Sequence, residues 1–321
     1  MTPLHVSTWY ALAASLLQVV LVVLGGPLLL GLMAKLRARA EGRVGAPIRQ
    51  PLRDIRKLLG KERLRPKHSS AVLALAPYVV LGATTVAVII SPLVTTHPLL
   101  RDSADLFVVV YLLLTGSVAM ALAGLDTGTA FGGMGSSRAM TVGALAEPAL
   151  LVSVIALSIQ AKTSNLPGIV ASTLAHPALA STPTRFLALV ALGIVVIAET
   201  GRLPVDNPST HLELTMIHEA MTLEYAGSDL GLVTLGAAMR LGLLVALLVN
   251  LFFPWGIAST ASIPLLGVAA VALALKASFF AVALSLIEVH SAKLRLFRVP
   301  ELLAAGFVFS VLAVITGLAT R

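Results

Sequence analysis

Eight long apolar segments, separated by polar stretches, constrain this chain more than any other feature of its sequence. A helix needs about 20 apolar residues to cross the hydrocarbon core of a bilayer, and only helices or closed barrels satisfy their backbone hydrogen bonds there. The fifth segment is short unless it extends back past Pro183. We therefore predict an all-α fold, a polytopic bundle of about eight transmembrane helices that forms one integral membrane domain over residues 1–321. The segments are Thr8–Ala34, Ser70–Val94, Ala104–Leu125, Ala139–Gln160, Phe186–Ala198, Leu230–Phe253, Ile263–Ile287 and Val299–Leu318.

The composition agrees with a membrane protein. Only 12% of the residues are charged, whereas soluble chains carry about 25%. Cysteine is absent, which excludes thiolate-held iron–sulfur clusters and a cysteine-ligated nickel site in this chain. We expect no metal or cofactor on this chain, so that any redox metals would lie in partner subunits.

The distribution of Lys and Arg predicts the orientation. Of the 23 such residues, 12 lie in Lys35–Lys67. With alternating helices, the side that contains this loop holds 17 and the other side holds 4. Because cytoplasmic loops are enriched in Lys and Arg, we predict that residues 35–68 and 201–229 are cytoplasmic loops of a multi-pass protein of the cell membrane.

The first cytoplasmic loop predicts an amphipathic helix. Apolar residues recur at near-helical spacing, with arginines and a lysine between them. Such a helix is typical of the membrane interface. Attraction to anionic lipid and specific docking of a partner both remain open as its role. The apolar positions are Ile48, Leu52, Ile55, Leu58 and Leu59.

The second cytoplasmic loop is acidic. Against the lone Arg202 it carries Asp206, Glu213, Glu219, Glu224 and Asp229. Thr210 and Glu213 form a capping box that predicts a helix from His211. One narrow polar stripe on this helix predicts contact with a cavity or a partner subunit. It comprises His211, Thr215, His218, Glu219 and Thr222.

Two further segments are interpreted as irregular, and no metal site is predicted. The Pro-, Ser- and Thr-rich stretch Thr163–Thr184 is expected to be a loop with at most one helical turn. The Gly132–Gly135 run is expected to be a flexible connection. The spacing of His211 and His218 does not suit a metal pair on one helix.

Charged residues inside the predicted helices point to ion movement. Glu147, Arg240 and Lys276 lie near the middle of three helices, where each charge costs on the order of 3 kcal/mol. Glu199 and Glu288 end helices on the cytoplasmic side. A proton path through these five residues is one interpretation, and a static ion pair of Glu147 with Arg240 or Lys276 is the other.

Several motifs resemble subunit 1 of respiratory complex I. Residues 199–206 match E-x-x-R-x-P-x-D, and residues 224–227 match E-Y-x-G. The first cytoplasmic loop is similar as well, including Arg43, Pro47, Gln50, Pro51 and Asp54. Glu147 corresponds to the acidic residue of that family's fourth helix.

Between these motifs the chain resembles the hydrogenase branch of the family, the formate hydrogenlyase subunit 4 type of group 4 nickel–iron hydrogenases. The similar blocks are residues 206–215 and 291–298. This resemblance implies a non-catalytic subunit of an oxidoreductase complex that docks soluble redox subunits and couples electron transfer to ion translocation. The implied partners are hydrogenase large and small subunits, iron–sulfur subunits and antiporter-like membrane subunits. A quinone-binding subunit of an NADH:quinone oxidoreductase and a stand-alone secondary transporter are the alternatives.

Overall fold

The computed structural model describes residues 8–206, 216–291, 294 and 298–319. These residues form eleven α-helices, joined by short 3₁₀ turns and loops. The helices are α1 (Thr8–Ala40), α2 (Gln50–Leu59), α3 (Ala71–Ile90), α4 (Leu106–Asp126), α5 (Ala130–Ala161), α6 (Leu166–Ala175), α7 (Pro183–Glu199), α8 (His218–Thr222), α9 (Gly227–Phe252), α10 (Ile263–His290) and α11 (Val299–Ala319).

The predicted all-α membrane bundle is confirmed. Among the described residues, seven helices are long and apolar enough to cross a membrane: α1, α3, α4, α5, α9, α10 and α11. The fifth predicted segment forms α7, which begins at Pro183 and has 17 residues. At about 1.5 Å per residue it is roughly 25 Å long, near the lower limit for a span. It packs against α5, α9 and α11 inside the bundle.

Helix α9 forms the centre of the bundle, in contact with α1, α2, α3, α7 and α10. Small residues allow these close approaches, as is usual between membrane helices. A Cβ built on Gly242 would lie 3.2 Å from the Cα of Gly26 in α1. A Cβ built on Gly26 would overlap the carbonyl oxygen of Ala238. The backbones of α1 and α9 therefore touch directly where they cross.

The amphipathic helix of the first loop is present as α2, but its apolar face is covered by protein. Helix α2 packs on α1 and α9. Ile55 is 4% exposed, and Gly231 at the start of α9 leaves room for Leu58 and Leu59. The prediction that this face lies in the lipid interface missed the intramolecular partner, since α9 begins directly beneath it.

Two segments interpreted as irregular are helical. Thr163–Thr184 contains α6, which Asn165 caps by accepting from the backbone N of Gly168 at 3.1 Å. Helix α6 forms because Leu166, Ile169 and Val170 are buried on one face. The Gly132–Gly135 run lies within α5. Gly132 is needed for packing, since a Cβ there would overlap the carbonyl oxygen of Gly124 in α4.

The predicted helix of the second loop is shorter than expected. Residues 207–215, including His211, Glu213 and the capping box, lie outside the described residues. In the part that the structure describes, Met216 and Ile217 are not helical and α8 begins at His218. A continuous helix from His211 to Thr222 is therefore wrong. Ala220 and Met221 are buried, and α8 packs on α5 and α4.

The bundle has two distinguishable ends. We call the end that carries loop 41–68 and α2 the basic end. At the opposite end, Tyr10 at the start of α1 lies 3.2 Å from the hydroxyl of Thr95 and donates to the carbonyl oxygen of Thr260 at 3.2 Å. These contacts join the first turn of α1 to the α9–α10 loop, so helices α1 and α9 run in opposite directions through the bundle.

Candidate functional site

An ion pair between Glu199 and Arg240 lies inside the bundle, towards the basic end. Glu199 ends α7 and Arg240 is in the middle of α9. Their side chains are 8% and 14% exposed, and Arg240 Nη2 donates to Glu199 Oε2. Arg240 Nη1 also donates to the carbonyl oxygen of Leu113 in α4 at 3.1 Å. Three helices thus converge on one buried guanidinium.

Glu147 of α5 belongs to the same cluster, and the charges of Glu199 and Arg240 both act on its carboxyl group. It is half-buried on a face of α5 that is otherwise open, with Thr141, Ala144 and Pro148 exposed. The cluster contains two acids and one base. The sequence analysis grouped Lys276 with Glu147 and Arg240 near the middle of the helices, as a second base.

Lys276 lies elsewhere. Its Nζ donates to Asn250 Oδ1 at 2.7 Å and to the carbonyl oxygen of Phe253 at 3.0 Å. Asn250 in turn donates to the carbonyl oxygens of Pro92 and Leu93. All these partners lie in the half of the bundle near the opposite end. The structure therefore does not bring Lys276 together with Glu147 and Arg240. Instead, the hydrogen bonds of Lys276 join α10 to the end of α9.

Arg185 is a buried cation that the sequence analysis placed in a loop. It is 1% exposed, near the start of α7. Its Nη1 donates to the carbonyl oxygen of Leu251 at 3.0 Å, and its Nη2 donates to the hydroxyl of Thr173 in α6. The short fifth segment was the clue to this burial, because extending it back to Pro183 includes Arg185 in the helix.

A small apolar cavity separates the two groups of charges. It measures about 30 Å³, and every lining residue is Leu or Val. Leu113, whose carbonyl accepts from Arg240, and Leu251, whose carbonyl accepts from Arg185, both line it. A water held there would need polar partners, and the lining side chains supply none. The interior between Arg240 and Arg185 is therefore a dry apolar layer.

At the basic end, Glu288 of α10 is buried between two arginines. Arg202 Nη1 lies 3.3 Å from Glu288 Oε1, and Arg37 Nη1 lies 3.9 Å from Glu288 Oε2. Burial lowers the pKa of Arg202, and the charge of Glu288 opposes this shift. Arg202, in the loop after α7, thus holds that loop to α10.

Asp206 and His218 are brought together in the same loop region. Asp206 accepts from the backbone N atoms of Ile217 and His218, each at 3.3 Å. His218 Nδ1 lies 3.5 Å from Asp206 Oδ2. The His218 ring also lies against Gly201, which has a φ of +59°. Asp206 and Gly201 therefore both lie next to one imidazole.

The acidic loop meets the basic loop at Asp229. This carboxylate, in the first turn of α9, is 1% exposed. It lies 2.9 Å from Arg65 Nη2 and 3.4 Å from Arg63 Nε. Gly227, with a φ of +57°, lies directly against the carbonyl oxygen of Glu62, where a side chain would overlap it. Part of the negative charge of the second loop is thus paired with arginines of the chain's own first loop.

The remaining predicted residues are more open. Glu219 and Glu224 are partly exposed at the basic end. Tyr225, beside Glu224, donates from its hydroxyl to the carbonyl oxygen of Leu73 at 3.0 Å. Burial raises the pKa of this phenol, so it remains a donor. Arg37, Arg63, Arg65 and Gly201 were not predicted as site residues, and only the pattern of the loop motifs pointed towards them.

Comparisons with known proteins agree with this arrangement. Residues 12–319 match the NADH dehydrogenase family. The chain is 33% identical to formate hydrogenlyase subunit 4 of Escherichia coli over 304 residues, covering 95% of this chain and 98% of that protein. It is 32% identical to hydrogenase-4 component C of Escherichia coli, with 95% of each chain covered.

A solved structure shows the same fold. A chain of the membrane-bound sulfane sulfur reductase, an archaeal respiratory membrane complex, superposes with a TM-score of 0.81 at 21% identity, over 96% of this chain and 99% of that one. The relatives are membrane subunits of oxidoreductase complexes. The chain belongs to the NADH dehydrogenase family, and it is a multi-pass membrane subunit of a complex I-like respiratory or hydrogenase complex.

Proposed function

We propose that this chain is the membrane-anchor and ion-path subunit of a formate hydrogenlyase-type hydrogenase in the cell membrane, with its basic end in the cytoplasm. Similarity to formate hydrogenlyase subunit 4 along almost the whole of both chains supports the hydrogenase branch. In this proposal the nickel–iron centre and iron–sulfur clusters belong to partner subunits, consistent with a chain that has no cysteine.

The position of Glu147 carries the proposal. Arg240 pairs directly with Glu199, so Glu147 has no salt bridge of its own among the described residues. It lies on an open face of α5 at the depth of the apolar helices. An ionised acid facing lipid costs on the order of 3 kcal/mol. We therefore assign this face to an antiporter-like membrane subunit, which would continue the ion path.

The basic end supplies the docking surface for the hydrogenase large and small subunits and the iron–sulfur subunits. Glu219 and Glu224 are partly exposed there, and Arg53 and Arg56 of α2 are exposed at the same end. Glu219 and Thr222 of the predicted polar stripe contribute to this surface, and His218, the other described residue of the stripe, is partly exposed beside them. Because Asp229, Asp206 and Glu288 are already buried in contacts within the chain, the exposed charges are the ones available to partners.

The experiment is ion translocation by the purified complex in sealed vesicles. Glu147→Gln keeps the volume of the side chain and its hydrogen-bonding capacity but cannot titrate. We expect the ratio of ions moved to hydrogen turned over to fall by about tenfold or more. Glu301→Gln, an exposed carboxylate in the first turn of α11, is the control and should leave the ratio unchanged. If Glu147→Gln lowers only thermal stability, Glu147 is part of a static ion pair.

A further inference from the structure

The imidazole of His218 has an unusual setting for a surface histidine. Its side chain is 41% exposed, so one part of the ring faces outward at the basic end. Its Nδ1 atom is buried and has no hydrogen-bond partner among the described residues, although Asp206 Oδ2 lies 3.5 Å away. A histidine with a purely structural role usually has its buried nitrogen hydrogen-bonded. This ring instead has one buried nitrogen directed at a carboxylate and one open side.

Asp206 is fixed in place beneath the ring. It is 3% exposed, and its Oδ2 accepts from two successive backbone N–H groups, those of Ile217 and His218. These bonds hold the carboxylate at the point where α8 begins. A proton on Nδ1 therefore faces a fixed negative charge. Among the described residues, the charged groups near this turn also include Glu219, the next residue of α8, Arg202, which follows Gly201, and Arg138 of α5, which donates to the carbonyl oxygen of Met216 at 3.3 Å.

Gly201 provides the space for the ring. A Cβ at this position would lie 2.7 Å from His218 Nδ1, which is closer than non-bonded atoms approach. The imidazole therefore rests directly on backbone that is two residues beyond Glu199. Two residues of chain span at most about 7 Å. The ring thus links the open surface of the basic end to the chain segment that carries the buried acid of the ion pair.

We propose that His218 passes protons between the water at the basic end and the acids Glu199 and Glu147, with Asp206 and Gly201 as positioning residues. This inference rests on the proposed function. A neutral imidazole takes up a proton on one ring nitrogen and releases one from the other, so it passes a proton with no net change of charge and ends as the other tautomer, which rotation of the ring or a return transfer resets. Asp206 orients the ring, and the missing side chain of Gly201 lets the ring approach the end of α7.

The test uses the complete complex in sealed vesicles with the basic end accessible to added reagents. His218→Ala should lower the ratio of protons moved to hydrogen turned over by about tenfold or more, while the partner subunits still copurify. Free imidazole, added on the side of the basic end, should restore most of the ratio, because the half-exposed ring leaves an open cavity. A docking role alone would not produce rescue by imidazole.

Gly201→Ala tests the geometry. Its Cβ would push the ring away from the chain, so we expect the ratio to fall although His218 is still present. Gly128→Ala is the matched control, because Gly128 also has a positive φ of +64° at the basic end but a Cβ there would meet nothing within 4 Å. In the double variant His218→Ala, Gly201→Ala, imidazole should no longer restore translocation.

Three results would overturn the inference: unchanged translocation in His218→Ala, release of the partner subunits by that variant, or failure of imidazole to rescue it. The outcome is separable from that of the proposed function. If Glu147→Gln abolishes translocation and His218→Ala does not, only the role of His218 is rejected. If neither variant affects translocation, the ion path itself is rejected.

Discussion

Buried cations have different partners in the two halves of the bundle. Towards the basic end, buried arginines face carboxylates, as in the pairs of Arg240 with Glu199 and of Arg202 with Glu288. Towards the opposite end, Arg185 and Lys276 donate only to uncharged oxygen atoms within the described residues. Titratable acids and bases are thus grouped in one half, and the other half holds cations with neutral partners.

Most of these uncharged acceptors lie at the carboxyl end of α9. Leu251 and Phe253, whose carbonyl oxygens accept from Arg185 and Lys276, lie at the carboxyl end of this helix. The last carbonyls of a helix lack intrahelical donors and carry the negative end of the helix dipole. Cations there stabilise the helix end. The comparison teaches that a cation buried in a membrane bundle can be held by helix-end carbonyls in one half of a protein and by carboxylates in the other.

The largest expected effect is an all-or-none difference in labelling, which tests whether the two ends lie on opposite sides of the membrane. The chain has no cysteine of its own, so single cysteines have no background. Gly60→Cys at the basic end should be blocked to an impermeant thiol reagent added outside the cell, and Ser181→Cys at the opposite end should react. Both positions are exposed. Reaction of Gly60→Cys from outside would reverse the predicted orientation.

The next largest effect is expected on the free energy of unfolding, when each of two buried arginines is replaced. Arg240→Met leaves Glu199 and Glu147 together without their base, and we expect a loss of about 3–5 kcal/mol in the free energy of unfolding. Arg185→Met leaves only a carbonyl and a hydroxyl group without a donor, so the loss should be about 1–2 kcal/mol. Thermal unfolding of the purified chain in mild detergent measures both.

A second substitution checks the cause of that difference. Adding Glu199→Gln to Arg240→Met removes the charge that Arg240 had paired, so part of the lost stability should return. If Arg185→Met is as destabilising as Arg240→Met, the contrast between the two halves has no energetic basis.

The smallest effect is expected at Lys276. Lys276→Met removes two hydrogen bonds but also removes the cost of holding an ammonium group in the bundle. Asn250 keeps its bonds to the carbonyl oxygens of Pro92 and Leu93. We expect a change of about 1 kcal/mol or less in the free energy of unfolding and an unaltered translocation ratio in sealed vesicles. A fall in that ratio would place Lys276 in the ion path after all.

The sequence predicted the membrane class, the helical segments and the two long loops, because long apolar runs and loop charges depend on local composition. It also identified Glu147, Glu199 and Arg240 as charges within the helices. It could not predict that Arg240 pairs with Glu199, since spacing along the chain does not tell which faces of α7 and α9 meet. For the same reason, the sequence could not show that Lys276 lies apart from the other charges of the predicted proton path.

Packing also explains why the Gly132–Gly135 run and helix α2 differ from what the sequence predicted. The glycines of Gly132–Gly135 suggested flexibility, yet they allow α4 and α5 to approach closely. Helix α2 has the pattern of an interfacial helix because one face is apolar, but a protein surface satisfies that pattern as well as lipid does. For α2, the sequence showed that one face is apolar but not what covers it.

The dry layer between Arg240 and Arg185 has an electrical consequence. A membrane voltage falls mainly across regions without water, because polarisable water screens the field. Moving one charge across the whole membrane changes its energy by about 2.3 kcal/mol per 100 mV. An ion that enters from the basic end and stops at Glu147 has not crossed the Leu- and Val-lined layer. In the proposed function such an ion would remain close to the potential of the compartment that it left, and the work against the voltage would fall to the adjoining membrane subunit.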